Sequence, residues 1–312
     1  MKKQLDIVIP VYNESACIEE TIKRIDKVAL DLDQKYSTRV VFIDDGSKDD
    51  TYLKMMSLLS GNKRYRVIKL TRNFGHQLAL TAGLDYTKAD IVAILDGDLQ
   101  DPPELIPDML KKVEEGYHIV YGQRKVREGE GAFKLFSAYL FYRILSRFCD
   151  IEIPRNTGDF RVITSDVVKA LKQMREKHRF IRGLVPYSGY KSFAFQYERK
   201  ARFAGETKYP LKKMFRFALD AIFSFSTKPI KLMRYFGLFS VLFSFMFMVY
   251  VLYLRFFTNS VVPGLTVTIA LSIFFGGIQI LFMSLLGEYI GRIFEEVKGR
   301  PLYFIQEIVN EE

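Results

Sequence analysis

Two stretches toward the C-terminal end of the chain are uncharged for longer than a soluble core ordinarily requires. Tyr235 to Leu254 reads YFGLFSVLFSFMFMVYVLYL, and Val261 to Leu286 is also free of charge. A helix needs about 20 apolar residues to cross a hydrocarbon core, and buried helices of soluble domains are seldom this long and this apolar. The link around Arg255 to Val262 is short, which predicts an antiparallel hairpin. Lys228, Lys231 and Arg234 precede the first stretch, Arg292, Lys298 and Arg300 follow the second, and only Arg255 lies in the turn. Basic residues gather on the cytoplasmic side of membrane spans. The pattern therefore predicts a multi-pass protein of the cell membrane with both ends, and the large N-terminal part, in the cytoplasm.

The remainder of the 312 residues is enough for one sizeable domain. The formal charge, 46 − 36 = +10, suits nucleic acid, an anionic membrane surface or a phosphorylated substrate equally well. The apolar stretches select the membrane and its phosphates, and no nucleic-acid partner is expected. Lys2 and Lys3 resemble the start of a signal peptide, but Asp6 and Asn13 interrupt a very short apolar run and no cleavage site follows. Cys17 and Cys149 are the only cysteines; in a cytoplasmic domain they stay reduced, and their spacing matches no metal site.

In the first half, short β-branched runs alternate with amphipathic segments. Strands are predicted at Leu5–Tyr12, Val40–Ser47, Tyr65–Leu70, Asp90–Asp98 and His118–Gly122. Helices are predicted at Ser15–Leu30, from about Asp49, at Gly75–Tyr86 and at Pro102–Glu115. This alternation specifies an α/β, Rossmann-like domain with a mostly parallel sheet covered on both faces. Ligands in such sheets bind beyond the carboxyl ends of the strands, and Asn13, Glu14, Asp44, Asp45, Asp96 and Asp98 all fall just after strands. Two later segments, Phe133–Phe148 and Tyr209–Met233, are basic, aromatic and apolar. Each reads either as a core-facing helix or as a helix lying in the membrane interface; the second directly precedes a span, which favours the interface. The expected organisation is a catalytic domain at 1–208, amphipathic juxtamembrane helices at 209–231, a hairpin at 232–288 (spans near 235–255 and 263–287) and a cytoplasmic tail at 289–312.

The central chemical signal is Asp96-Gly97-Asp98 at the end of an apolar strand. Two carboxylates one residue apart at a sheet rim can share a hard divalent cation, Mg2+ or Mn2+, with a diphosphate. The cation would offset charge building on a departing nucleotide. Alone the pair is weak, because acids also end strands and cap helices. Here it is followed by Gln100-Asp101-Pro102-Pro103. It is preceded by Pro10-Val11-Tyr12-Asn13-Glu14, Asp44-Asp45-Gly46-Ser47-Lys48-Asp49 and Arg72-Asn73-Phe74-Gly75. Further on stand Asn156-Thr157-Gly158-Asp159-Phe160-Arg161 and Arg202-Phe203-Ala204-Gly205-Glu206-Thr207-Lys208-Tyr209.

In this order the motifs resemble family 2 inverting glycosyltransferases of the nucleotide-diphospho-sugar transferase (GT-A) fold. More narrowly, the whole chain is similar to the polyprenyl-phosphate (undecaprenyl, or bactoprenol) glycosyltransferases, relatives of dolichol-phosphate mannose synthase. The resemblance implies that Pro10, Tyr12, Glu14, Asp44 and Asp96 bind the nucleotide sugar, with UDP the preferred nucleotide. It implies that Asp96, Asp98 and Gln100 hold the metal, with Asp98 and Asp159 catalytic. Arg124, Lys134, Arg202 and Lys208 would meet the acceptor phosphate. In relatives that glycosylate a hydroxyl, an aspartate near Asp159 removes a proton. A phosphate monoester, with a second pKa of about 6, needs no strong base, so Asp159 is either a base or an orienting and charge-balancing residue. His76, His118 and His178 read as packing or surface residues.

The absence of Trp excludes the Gln-x-x-Arg-Trp signature of processive family 2 polymerases, which points to a single transfer. The expected reaction moves glucose or N-acetylglucosamine from UDP to undecaprenyl phosphate with inversion, giving a lipid-linked sugar for the cell envelope. The competing readings are transfer to a lipid hydroxyl, a non-catalytic nucleotide-sugar sensor and a flippase. The last would require several chains to assemble, and a homo-oligomer is compatible with the sequence.

Overall fold

A computed structural model describes residues 2–125, 154, 156–198, 228–257 and 264–310. The predicted alternation is present as β1 (Lys3–Val11), α1 (Ile18–Leu32), β2 (Tyr36–Asp44), α2 (Thr51–Leu59), β3 (Tyr65–Leu70), α3 (His76–Tyr86), β4 (Ile91–Ile94), α4 (Ile106–Glu114) and β5 (Ile119–Arg124). The helix expected from Pro102 opens as a short 3-10 turn, Pro103–Leu105, before α4 begins. Then follow β6 (Thr157–Thr164), α5 (Ser165–Gln173), α6 (Ile181–Tyr187), β7 (Ser192–Tyr197), α7 (Lys228–Phe257), α8 (Gly264–Val297) and β8 (Ile305–Val309).

The eight strands form one sheet in the order β7-β5-β6-β4-β1-β2-β3-β8. It is mixed where alternation alone predicts a mostly parallel one. β6 runs antiparallel between β4 and β5, and β8 runs antiparallel along β3. Successive side chains of a strand point to opposite faces. Ile7 and Ile9 of β1 thus join Phe42, Val120 and Phe160 in one core layer, while Val8 joins Val41, Ile43, Ile94 and Ile163 in the other. Burial on both faces explains why β1 and β4 read as near-continuous apolar runs.

α7 and α8 are each long and apolar enough to cross a membrane, and their apolar side chains are largely exposed. Phe236 of α7 meets Phe282 of α8 edge to face, with ring centroids 5.6 Å apart. α8 continues beyond its uncharged stretch. At its end Glu295 pairs with His178 at 2.7 Å, and Glu296 accepts a hydrogen bond of 2.6 Å from the Lys177 amide.

The segment expected as a cytoplasmic tail returns to the sheet as β8. Thr71 donates its amide to the Phe304 carbonyl (3.0 Å), Tyr303 donates its hydroxyl to Asp85 (2.8 Å), and the Phe74 and Phe304 rings pack 6.2 Å apart. Asn310 closes the edge by donating its amide to the carbonyls of Leu59 and Tyr65 at 3.0 and 3.1 Å. Ending the chain at Pro301 would bare the edge of β3 and the partners of Ile308 and Val309. The expected result is a loss of about 3 kcal/mol from the buried apolar surface and self-association through the open edge. Thermal unfolding in detergent and size-exclusion chromatography measure the two effects; an unchanged melt would show that β8 adds nothing to stability.

Candidate active site

The cluster of polar residues lies beyond the carboxyl ends of β1, β2 and β4. The loop after β1 and the loop after β2 hold each other. The Asn13 amide donates to Ser47 Oγ (3.0 Å), the Lys48 amide to Asn13 Oδ1 (2.8 Å) and the Glu14 amide to Thr51 Oγ1 (2.8 Å). Asn13 adopts φ 54°, which its short polar side chain tolerates. Pro10 lies beyond the last residue of β1 paired with β4, where a missing amide hydrogen costs that ladder nothing. Tyr12 is 38% exposed at the mouth of this pair of loops.

Asp44 and Asp45 are both buried but serve different ends. Asp45 accepts hydrogen bonds from Asn73 Nδ2 (3.0 Å) and from the amides of Phe74 (2.7 Å) and Gly75 (2.9 Å), which fixes the turn before α3. Gly46 makes this approach possible. Its φ is +66°, and a Cβ there would lie 2.5 Å from the carbonyl carbon of Arg72. Asp44 accepts from the Ser47 amide at 3.1 Å through Oδ1, while its buried Oδ2 accepts no hydrogen bond. Burial pushes the Asp44 carboxyl above its usual range.

Sheet register brings the next group together. β4 and β6 pair antiparallel with Ile94 opposite Arg161, so two further residues along each strand bring Asp96 level with Asp159. The Asp96 side chain is 23% exposed, yet its Oδ1 is buried and accepts no hydrogen bond, facing His76 Nε2 at 3.5 Å. Burial pushes its carboxyl up to about 6; His76 opposes the rise, and Asp159, Asp101 and Asp98 add to it. Asp98 is 8% exposed and accepts from the Gln100 amide at 3.1 Å. Between them Leu99 holds φ 57° with its side chain buried, a conformation that costs roughly 1–3 kcal/mol and persists only where the surroundings impose it.

Asp159 is fully buried and held on both oxygens. Oδ1 accepts from Arg161 (3.3 Å) and Arg182 Nε (3.1 Å); Oδ2 accepts from Arg182 (2.9 Å) and Gln77 (3.3 Å) and lies 3.0 Å from His76 Nε2. Burial alone would raise its carboxyl, but Arg182 and His76 hold it well below the usual range. The same two acids, Asp96 foremost, outweigh burial and raise the His76 imidazole, so it stands as a cation. This corrects the reading of His76 as a packing or surface residue. Arg182, which no sequence pattern singled out, is also part of the site. The only signal for His76 was its place at the start of a helix that follows the Arg72–Gly75 motif.

Two oxygen-rich sets share Asp96. One is Asp96, Asp98 and Gln100. The other is His76, Asp96 and Asp159, whose ligand atoms lie within 4.8 Å of one another. In the second set Asp159 is already matched by Arg161, Arg182 and His76, so a dication there would meet three like charges. By ligand type a hard cation suits the all-oxygen set of Asp96, Asp98 and Gln100, although the Asp96 oxygen that accepts no hydrogen bond is the one facing His76. Arg124, at the end of β5, lies beside the same cleft next to Asp101 and Gly158. Lys134, Arg202, Lys208 and Cys149, together with the amphipathic segments at 133–148 and 209–227, lie outside the described residues.

The chain is 46% identical over 306 residues to the uncharacterized glycosyltransferase YkcC of Bacillus subtilis, covering 97% of this chain and 93% of that protein. It is 35% identical to the bactoprenol glucosyl transferase of Shigella phage SfX, covering 97% and 99%. Among solved structures it is similar to the glucosyl-3-phosphoglycerate synthase of Mycobacterium tuberculosis in complex with Mn2+, UDP and glucosyl-3-phosphoglycerate. The TM-score is 0.49 and the identity 19%, covering 71% of this chain and 79% of that one. Residues 6–172 match glycosyl transferase family 2 as a family. The chain belongs to that family and is a glycosyltransferase.

Proposed function

We propose that the protein moves a single sugar, glucose or N-acetylglucosamine, from a UDP-sugar to undecaprenyl phosphate or a similar polyprenyl phosphate, with inversion at the anomeric carbon. The observation that carries the acceptor class is the state of Asp159. Five contacts from Arg161, Arg182, Gln77 and His76 occupy its two oxygens. A general base needs a lone pair aimed at the proton it removes, and this carboxylate has its lone pairs committed. Transfer to a lipid hydroxyl would need such a base, whereas an ionised phosphate monoester does not. The bactoprenol glucosyl transferase named above supports glucose and a polyprenyl acceptor.

In this reading Pro10, Tyr12, Glu14 and Asp44 receive the nucleoside, the free oxygen of Asp44 taking a donor on the base. Asp96, Asp98 and Gln100 would hold Mg2+ or Mn2+, which when bound offsets the charge on the departing diphosphate. Asp159 keeps Arg182 and His76 in place behind Asp96. Arg124, with Lys134, Arg202 and Lys208, meets the acceptor phosphate and aligns it with the anomeric carbon, and such placement itself lowers the barrier. α7 and α8 form the membrane hairpin, joined to a cytoplasmic catalytic domain that includes β8, and the basic, aromatic sequence leading into α7 suits the membrane interface.

The test of the reaction is incubation of the purified protein with undecaprenyl phosphate, Mg2+ or Mn2+ and a panel of nucleotide sugars, followed by mass spectrometry. A polyprenyl phosphate one hexose heavier supports it; modification of a diacylglycerol instead would transfer the role of base back to Asp159. The orientation has its own check. In a background without Cys17 and Cys149, Asn259→Cys is expected to react with an impermeant thiol reagent on intact cells, and reaction only after permeabilisation would reverse the topology.

A further inference from the structure

We propose that Asp101 and Tyr197 are positioning residues for Arg124, and that they set the acceptor-side guanidinium from the same short loop that carries Asp96 and Asp98. This rests on the reading of Arg124 as an acceptor-phosphate contact. Arg124 ends β5 in register with Tyr197, which ends β7. Its Nε donates to the Tyr197 hydroxyl at 3.3 Å. That hydroxyl in turn donates to Asp101 Oδ1. A hydroxyl has one hydrogen, so giving it to Asp101 leaves only lone pairs to face Arg124. The chain of hydrogen bonds therefore has one direction, from Arg124 through Tyr197 to Asp101.

The other walls are equally specific. Asp101 is fully buried, and its Oδ2 lies 3.6 Å from the Arg124 guanidinium. The Tyr197 ring is buried against Phe160, edge to face at 5.7 Å, and cannot swing away. At Gly158 a Cβ would fall 2.4 Å from an Arg124 terminal nitrogen, so the guanidinium occupies the space that a side chain at this one position of β6 would fill. Arg124 nevertheless remains 25% exposed, so part of its planar fork stays available to a ligand. A charge that served only solubility would need no buried acid, no buried hydroxyl and no bare glycine beneath it. The turn at Leu99 gives the arrangement its reach. It folds the loop between Asp98 and Asp101, so the proposed cation site and the anchor of Arg124 lie on one short turn.

The experiment uses the full-length protein in detergent. Binding of a short prenyl phosphate and of UDP is measured by calorimetry, alongside KM for undecaprenyl phosphate and for UDP-glucose. Tyr197→Phe keeps the ring and removes the relay; it is expected to weaken prenyl phosphate binding about tenfold while UDP binding stays within about twofold. Gly158→Ala collides only with the flexible end of Arg124, so it is expected to show the same selective loss with an unchanged melting temperature. In an Arg124→Gln background, Tyr197→Phe is expected to add nothing, because coupled residues are not additive. A full additional loss there, or equal weakening of both ligands, would overturn the positioning role and leave Arg124 as an acceptor contact. Unchanged prenyl phosphate binding in Arg124→Gln itself would instead remove the acceptor reading. If Tyr197→Phe does not fold, Gly158→Ala decides, with selective loss supporting the proposal and no selectivity overturning it.

Discussion

Asp96→Asn is expected to abolish sugar transfer while leaving the melting temperature within about 2 °C of the parent, a shift of under about 1 kcal/mol. Asp96 places a charge where burial and three other carboxylates resist it, and one of its oxygens accepts no hydrogen bond. His76 faces that charge at 3.5 Å but keeps the closer Asp159, at 3.0 Å, as its counter-charge in the variant, so removing the Asp96 charge costs little stability. Its value lies in catalysis. A divalent cation contributes several kcal/mol of transition-state stabilisation, and losing it slows turnover by about a thousandfold or more. Chelation of the parent with EDTA should reproduce the loss, and Mg2+ or Mn2+ should reverse it there but not in the variant. A variant that keeps a tenth or more of the parent rate would mean that Asp96 holds no metal.

Asp159→Asn, close to Asp96 in space, is expected to behave in the opposite way on stability. This carboxylate is fully buried and balances Arg161, Arg182 and His76. Asn retains the shape but removes the charge, leaving cations in the interior without a counter-charge. Breaking a buried pair from one side costs about 3–5 kcal/mol, which for a domain of this size lowers the melting temperature by about 10 °C. Activity falls as well, because Arg182 and His76 lose the group that holds them behind Asp96. Adding Arg182→Gln should recover part of the lost stability, since coupled charges interact by roughly 0.5–3 kcal/mol. A single variant that melts like the parent would show that solvent, not Asp159, balances these cations.

The contrast between the two acids shows what a sequence can and cannot reveal. Asp96 and Asp98 were legible because an apolar strand ends on them, and the order of motifs placed Asp159 and Arg124 in the same family site. The alternation of β1 to β5 with α1 to α4 was legible from period and punctuation. What was hidden depended on register. β6 carries Asp159 and Arg161 two residues apart, and these charges break the pattern of a buried strand; they are tolerated because each answers the other. His76 and Arg182 acquire meaning only when the antiparallel pairing of β6 with β4 brings Asp159 beside Asp96. β8 was hidden for another reason: five residues with a charged centre, IQEIV, read as tail until an edge is there to receive them.

That edge strand bears on how the protein is made. Asn310 bonds to the Tyr65 carbonyl, 245 positions earlier, and everything between, including both long apolar helices, is synthesised before the contact can form. The nascent catalytic domain therefore emerges with the β3 edge open, and it stays open until both long helices have been made. Contacts so distant in sequence form late and slowly, and an unpaired edge invites association during the wait. Closure by β8 is thus the last step in completing the sheet, and until Asn310 has been made the edge of β3 lacks this partner.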